Sequence, residues 1–219
     1  MYKIEIVTLV KKMKKIFILL TILLYSKLGL SQNTSEFGIY IMHIDVDVEN
    51  ASFFAQYYWW NKFKTPADTS RLKEMSKVEF VNGDISKFET NESVEIKDST
   101  YINGKCTGRF PFQTNFKDYP FDSQQLIITT ENVNLTKNSL ELEQDFKAYL
   151  SNDDQIVALD TAFIASNFKI ISTRFSKTEK TYKTTFGDPR YTDPLSYSRL
   201  NYIITIKREP LSFLLIVIM

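Results

Sequence analysis

Residues 115–126 read NFKDYPFDSQQL, an aromatic loop that leads directly into a strand. Pro120 fixes its own φ and pushes Tyr119 towards extended backbone, which predicts a turn and interrupts any helix. The rings of Tyr119 and Phe121 flank the proline and give the turn apolar surface that a solvated loop does not need. From 126 to 130 the residues alternate with the period of a strand. We expect the tip of this loop to pack against something, although a well-packed turn in a β-domain is the simpler alternative.

Short segments with the alternation of β-strands continue in both directions from this loop. Residues 38–48 alternate cleanly, and five apolar side chains share one face of the predicted strand: Tyr40, Met42, Ile44, Val46 and Val48. Further strands are expected at 53–60, 77–81, 86–89, 93–97, 99–102, 107–112, 126–131, 139–142, 162–175 and 195–207. Asn103-Gly104 suits a two-residue hairpin turn with positive φ, so we place a turn there.

No segment between these strands has the periodicity of an amphipathic helix. Residues 62–76 and 177–194 are polar and are predicted to be connections, and residues 146–150 form a short helical turn or irregular structure. Regularly spaced short strands without helices indicate an all-β protein, and we predict an immunoglobulin-like β-sandwich of about ten strands.

Composition excludes several classes of function. The 219 residues include 27 lysines and arginines and 26 acidic residues, so no basic excess points to a nucleic-acid partner. Cys106 is the single cysteine and His43 the single histidine, so we expect neither an intrachain disulfide nor a metal site. No phosphate-binding loop, nucleophile elbow or Cys–His pair is present. We therefore predict that the chain is not an enzyme and uses no cofactor.

The beginning of the chain has the pattern of an export signal. Four lysines within residues 11–15 precede an apolar run at 16–25, and Gly29 and Ser31 supply the small residues of a cleavage site. We predict that residues 1–31 are a removed signal peptide and that residues 32–208 form the exported domain. A membrane anchor is the alternative.

The given sequence closes on an apolar run. Residues 211–219 are nine almost entirely apolar residues that follow Arg208-Glu209-Pro210. A helix needs about 20 residues to cross a bilayer. We expect residues 209–219 to be the start of a transmembrane helix, with a buried terminal strand as the alternative.

The loop carries the first resemblance to a known family. Tyr119-Pro120-Phe121-Asp122, followed by Ser123-Gln124, resembles the signature loop of the pentameric ligand-gated ion channels, the Cys-loop receptor superfamily. In animal members two cysteines close this loop, whereas Phe112 and Leu126 stand at the matching positions. The chain is therefore similar to the prokaryotic type without loop cysteines. The resemblance extends from about Gly38 to the last residue.

This resemblance implies two groups of functional residues. The first group couples ligand binding to pore opening: Glu49, Tyr119, Pro120, Phe121, Asp122 and Arg208. The second group lines a ligand site between neighbouring subunits: Phe168, Tyr182 and Tyr191. If Glu49, Asp122 and Arg208 meet, one guanidinium can bridge two carboxylates. A plain structural ion network is the alternative reading of that cluster.

The resemblance also implies a homopentamer in the cell membrane, attached through the C-terminal helix. The domain would be exported to the periplasmic or extracellular side, and its ligand would be an unidentified small molecule or a proton. The pore would lie outside these 219 residues. The main alternative is a secreted, soluble β-sandwich binding module without channel activity, followed by a secreted adhesin or carbohydrate-binding sandwich.

Overall fold

The computed structural model describes residues 33–149, 157–160 and 168–209. One short helix and one 3-10 turn, at Phe146–Ala148, accompany nine strands in these residues. In chain order the elements are β1 (Asn33–Asp47), β2 (Ser52–Lys64), α1 (Thr69–Met75), β3 (Val78–Phe80), β4 (Asp84–Ile96), β5 (Ser99–Pro111), β6 (Ser123–Asn132), β7 (Leu140–Gln144), β8 (Phe168–Tyr182) and β9 (Leu195–Arg208).

The strands form two sheets. The first has the order β4-β5-β2-β1-β7 and the second the order β3-β6-β9-β8. Neighbouring strands pair antiparallel, except that β1 and β7 run parallel. The predicted all-β, sandwich-like architecture is confirmed.

Aromatic rings join the two sheets. The ring of Tyr57 on β2 meets the ring of Phe80 on β3 edge-on, with centroids 5.0 Å apart. Phe37 on β1 contacts Phe80 at 6.3 Å and stacks on Trp59 at 6.5 Å. These rings, all nearly inaccessible, fill the space between the sheets, where large apolar surfaces contribute most to folding.

The first strand contains an irregularity that alternation alone did not show. Ile39, Ile41 and Ile44 are buried, whereas Tyr40 is 39% exposed, so the prediction that Tyr40 shares a strand face with Ile44 is wrong. The pairing of β1 with β2 shifts between Ile41 and His43. A bulge adds one residue to one strand, and here it moves the buried face back in phase at Ile44.

The predicted turn at Asn103-Gly104 is also wrong. Both residues lie inside β5, which runs unbroken along β2 and β4. The hairpin between β4 and β5 turns instead at residues 97–98, where Lys97 has a φ of 58°. The two strands predicted at 86–89 and 93–97 are a single strand, β4, whose pairing shifts twice.

Two other boundaries differ from the prediction. Strand β8 continues through residues 177–182, so the polar connection to β9 begins only at residue 183. Residues 161–167, at the start of the strand predicted there, lie outside the described residues. The polar stretch 62–76 contains α1, whose first turn is capped by Asp68 accepting a hydrogen bond from the Ser70 amide at 2.9 Å.

The described residues contain no helix with the length and apolar character needed to cross a bilayer. The predicted signal peptide at 1–31 lies outside the part of the chain that the structure describes. So does the predicted membrane segment, apart from Glu209.

Tyr57→Phe is expected to leave the free energy of unfolding unchanged, or to raise it by up to about 1 kcal/mol. The Tyr57 hydroxyl is buried and has no conventional hydrogen-bond partner among the described residues; beside it lies the thiol of Cys106, a weak partner. Burial also raises the pKa of Cys106 to about 11, so the thiol stays protonated. Removing the hydroxyl therefore removes a desolvated polar group.

Urea unfolding of the purified chain, followed by tryptophan fluorescence, measures this effect. The matched control is Tyr202→Phe, because the Tyr202 hydroxyl is buried and donates to the Val157 carbonyl oxygen at 2.7 Å. That variant should lose about 1 kcal/mol. Equal losses in both variants would contradict the prediction.

Candidate functional site

Strands β6 and β9 pair in register along their length and carry an arginine–carboxylate ion pair at each end. Asp122 pairs with Arg208 at one end, and Glu131 pairs with Arg199 at the other. Nine residues of β6 at about 3.3 Å each place the two pairs roughly 30 Å apart. One two-stranded ladder therefore connects two separate polar sites.

The first is the tail-end site, which we define as Tyr119, Asp122, Phe168 and Arg208. The Nε atom of Arg208 donates to Asp122 Oδ1 at 2.7 Å, and Nη2 donates to Oδ2 at 3.3 Å. The Arg208 amide also donates to the Asp122 carbonyl oxygen at 3.0 Å. The Asp122 side chain is only 1% exposed. Paired, charge-assisted hydrogen bonds of this kind are strong and geometrically specific.

Gln124 completes the hydrogen bonding of this carboxylate. Its Nε2 atom donates to Asp122 Oδ2 at 2.6 Å and to the Asn115 carbonyl oxygen at 2.9 Å. Burial alone raises the pKa of Asp122, but the hydrogen bonds from Arg208 and Gln124 outweigh it and hold the pKa below its ordinary value of 3.8. The carboxylate is therefore charged at neutral pH, and it ties the loop to β9.

Two rings lie against the guanidinium of the tail-end site. The Arg208 Cζ atom is 4.7 Å from the centroid of Phe168 and 5.2 Å from the centroid of Tyr119. Both distances allow a cation–π attraction. The site thus joins a ring from the loop, a ring from β8 and the last arginine of β9.

The tip of the loop is apolar and accessible. Phe116, Tyr119 and Phe121 are each about half exposed, and the peptide bond before Pro120 is cis. Large rings clustered on a surface are typical of a site where another surface binds. The expectation that this tip packs against another surface stays a prediction.

Glu49 does not join the tail-end site in this chain. It is exposed on the turn between β1 and β2 and forms no ion pair with Arg208. Asp47, at the end of β1 beside that turn, does have polar partners. It accepts hydrogen bonds from Asn50 and lies 3.7 Å from Arg109 Nη1. The observed ion pair is therefore Asp122 with Arg208, without the expected third member.

The second site is a cavity of about 550 Å³ at the other end of the ladder, which we name the loop cavity. Its walls come from α1, from β3, from the end of β6 and from the loop that joins β8 to β9. Four aromatic side chains line it: Tyr182, Phe186, Tyr191 and Tyr197. Tyr182 contacts Phe186 and Tyr197 edge-on, with centroids 5.2 Å and 5.6 Å apart.

Glu131, Arg199 and Tyr182 form a connected polar group beside these rings. Arg199 donates from Nε to Glu131 Oε2 at 2.6 Å and from Nη2 to the Tyr182 hydroxyl at 2.6 Å. The Tyr182 hydroxyl in turn donates to the Glu131 carboxylate at 3.3 Å. Burial and the negative charge of Glu131 both raise the pKa of Tyr182, so this hydroxyl remains a hydrogen-bond donor.

The structure separates the three side chains predicted to bind ligand. Tyr182 and Tyr191 both line the loop cavity, as a shared site requires. Phe168 is at the opposite end of β8, fourteen residues and roughly 45 Å along the strand from Tyr182. It packs against Arg208 and does not line the cavity, and its predicted part in a ligand site between subunits stays a prediction.

Sequence reasoning missed Glu79 and Glu131, which line the loop cavity, and Arg199, which pairs with Glu131. They lie on three strands, and the pairing sets Glu79 opposite Glu131 and Glu131 opposite Arg199. The available signal was a single acidic residue in β6, Glu131, and an arginine in the interior of β9, Arg199. Sequence separation hides such cross-strand neighbours until the register is known.

No model of a known protein family matches this chain, and no curated protein matches it. Within the described ranges, no group of three or more His, Cys, Asp or Glu side chains is placed to hold a metal ion.

Proposed function

We propose that this chain supplies the ligand-binding domain of a pentameric ligand-gated ion channel. In this proposal the two sheets form an immunoglobulin-like sandwich that is exported after removal of residues 1–31. The apolar residues after Arg208 then enter the cell membrane as the first transmembrane helix. The chain carries no enzymatic role and needs no metal or other cofactor.

The buried pair of Asp122 with Arg208 is the observation that carries this proposal. It ties an aromatic loop to the last residue of β9, which is separated from the apolar run at 211–219 only by Glu209 and Pro210. A shift of the loop relative to β9 must therefore move this arginine or break two charge-assisted hydrogen bonds. The ion pair of Asp122 with Arg208 can therefore transmit a movement of the sandwich to the segment that follows β9.

The paired strands β6 and β9 connect the ion pair of Asp122 with Arg208 to the loop cavity. A ligand that binds the loop cavity better in one arrangement of the β8–β9 loop shifts the population towards that arrangement. Glu131 and Arg199 are at the cavity end of the two strands whose other ends hold Asp122 and Arg208. Small shifts can be amplified along such packed elements because their interfaces have discrete arrangements.

Assembly is the first experimental test. The full chain, purified in detergent, should give the mass of a homopentamer in native mass spectrometry. A head-to-tail interface between identical subunits forms a closed ring when its rotation closes, and the proposal requires a rotation that closes after five subunits. A monomer over the whole accessible concentration range would contradict the channel proposal and favour a secreted binding module.

A further inference from the structure

The outward face of the second sheet carries a groove of about 860 Å³, which we name the amide groove. Strands β6, β8 and β9 contribute to it, together with Asn82 after β3 and the segment 111–115. Its residues on β6 and β9 alternate with core residues such as Leu126 and Ile204, so the groove faces away from the first sheet. Its volume is within the range of about 300–1,000 Å³ that is typical of ligand pockets.

The floor of the amide groove is sheltered from water. Ile203 and Thr129 are only 6% and 7% exposed, although both are on the outward face of their strands. Ile203 pairs with Ile127 on β6, and it is not part of the apolar core between the two sheets. An isoleucine that is buried outside the core shows that this face is concave and not flat.

The wall of the amide groove is polar but uncharged. Fourteen described residues line it, of which six carry amides, four carry hydroxyls, four are apolar and none is charged. Charged residues make up 24% of the chain, so about three would be expected among fourteen. Arg174, which pairs with Ile203, is exposed and does not line the groove. A charged ligand would have to leave water without meeting a counter-charge from the wall, which is costly.

Two amides of the groove are held in fixed orientations. Asn82 Nδ2 donates to the Ile127 carbonyl oxygen at 2.7 Å, and Asn82 Oδ1 accepts from the Thr129 amide at 2.9 Å. Asn201 Nδ2 donates to the Thr178 hydroxyl at 2.9 Å, and Asn201 Oδ1 accepts from the Thr129 hydroxyl at 2.9 Å. Polar groups that are ordered before binding lose little conformational entropy when a ligand arrives.

Two further amides keep their hydrogen-bonding capacity for a ligand. Gln113 and Gln125 are exposed, and neither side chain forms a hydrogen bond with another described residue. Each carries two N–H donors and a carbonyl acceptor. The groove therefore combines an apolar, sheltered floor with neutral groups that both donate and accept.

We propose that the amide groove binds a neutral oligosaccharide. Sugar hydroxyls donate and accept hydrogen bonds, as the amides and hydroxyls of the wall do. The C–H faces of sugar rings can pack on Ile127 and Ile203, which removes apolar surface from water. The inference goes beyond the proposed function, because the groove shares no residue with the tail-end site or with the wall of the loop cavity.

Isothermal titration calorimetry on the full chain, in a detergent without a sugar head group, tests this proposal. The neutral probes are maltotriose, cellotriose, mannotriose and tri-N-acetylchitotriose. The charged probes are trigalacturonate, an anion, and deacetylated chitotriose, a cation. At least one neutral trisaccharide should bind with a Kd of about 1 mM or tighter. Both charged probes should bind at least about tenfold more weakly than that trisaccharide, because the wall offers them no counter-charge.

Gln113→Ala and Gln125→Ala locate the binding. Each variant removes one amide that can bond to the sugar, so each should weaken binding of the tightest trisaccharide about three- to tenfold. The matched control is Gln56→Ala on β2, which removes the same side chain from the other sheet and should leave the affinity unchanged. Urea midpoints equal to that of the unmodified chain confirm that the two exposed substitutions keep the fold.

Three results would overturn the saccharide site. The first is that no neutral trisaccharide binds, including the case in which the uncharged peptide Gly-Ser-Gly-Ser-Gly binds instead. The second is a charged probe that binds as tightly as the best neutral one. The third is undiminished binding by both glutamine variants. Each of these results leaves the channel proposal in place, since that proposal is tested by the mass of the assembly.

Discussion

Arg208→Ala is expected to lower the free energy of unfolding by about 3–5 kcal/mol, the largest loss that we predict for this chain. The substitution leaves the Asp122 carboxylate, which is 1% exposed, without the guanidinium that donates two hydrogen bonds to it. It also removes the cation that lies against the rings of Phe168 and Tyr119. An uncompensated buried charge is among the few causes of so large a single-residue effect.

Urea unfolding of the purified chain measures the loss, with Lys207→Ala as the control. Lys207 is the neighbouring cation on the same strand, but it is exposed, so its removal should cost no more than about 0.5 kcal/mol. Arg208→Lys should fall between the two, because lysine keeps the charge and loses the planar fork. Similar losses for Arg208→Ala and Lys207→Ala would show that the buried pair has no special part in stability.

The same pair gives the fold a dependence on acid. The pKa of Asp122 is below its ordinary value in the folded chain, so the folded state holds the carboxylate in its charged form more strongly than the unfolded state does. Its contribution to stability is complete above the unfolded pKa and is lost as pH falls through the folded pKa. Removal of Asp122 by substitution with asparagine should flatten this part of the pH profile.

The tail-end site was largely predictable from the sequence because its signals are local. Tyr119 and Asp122 belong to one short motif, and Arg208 is marked by its distance from the proline that follows. The family resemblance implies a ligand-binding part for Phe168 but gives no indication of its contact with Arg208. Its contact with Arg208 depends on the pairing of β8 with β9, which sets these two residues directly opposite each other.

Only part of the loop cavity was predictable, because some of its residues meet only through the pairing of strands. Tyr182 and Tyr191 stand out as aromatic residues in a polar stretch, whereas Glu79 and Glu131 have no unusual neighbours along the chain. Their juxtaposition exists only across a sheet, and one residue of slip in a strand turns each side chain to the other face. The bulge between Ile41 and His43 shifts the strand by one residue, and this is why Tyr40 does not share a face with Ile44 as predicted.

Gly104→Ala is expected to lower the free energy of unfolding by about 3 kcal/mol, the second large effect that we predict. The reason is the position of Gly104 inside a strand, where a turn was predicted. Gly104 lies inside β5, and a Cβ atom there would be 1.9 Å from the carbonyl oxygen of Glu89 and 2.8 Å from the indole of Trp59. The carbonyl belongs to the backbone of β4, so it cannot swing away as a flexible side chain can. The glycine is therefore required by the close approach of a strand and an indole ring.

Gly187→Ala is the matched control, because Gly187 is favoured by its positive φ and not by a close neighbour. Gly187 has a φ of 77° and nothing within 4 Å of the position of a Cβ, so alanine there costs only backbone strain, about 1 kcal/mol. Urea midpoints of the two variants give the comparison, and the tryptophan emission of Gly104→Ala should shift as Trp59 is displaced. Overpacking predicts a larger loss of unfolding free energy in Gly104→Ala than in Gly187→Ala. Equal, small losses in the two variants, with unchanged tryptophan emission, would contradict this prediction and favour a turn at Gly104.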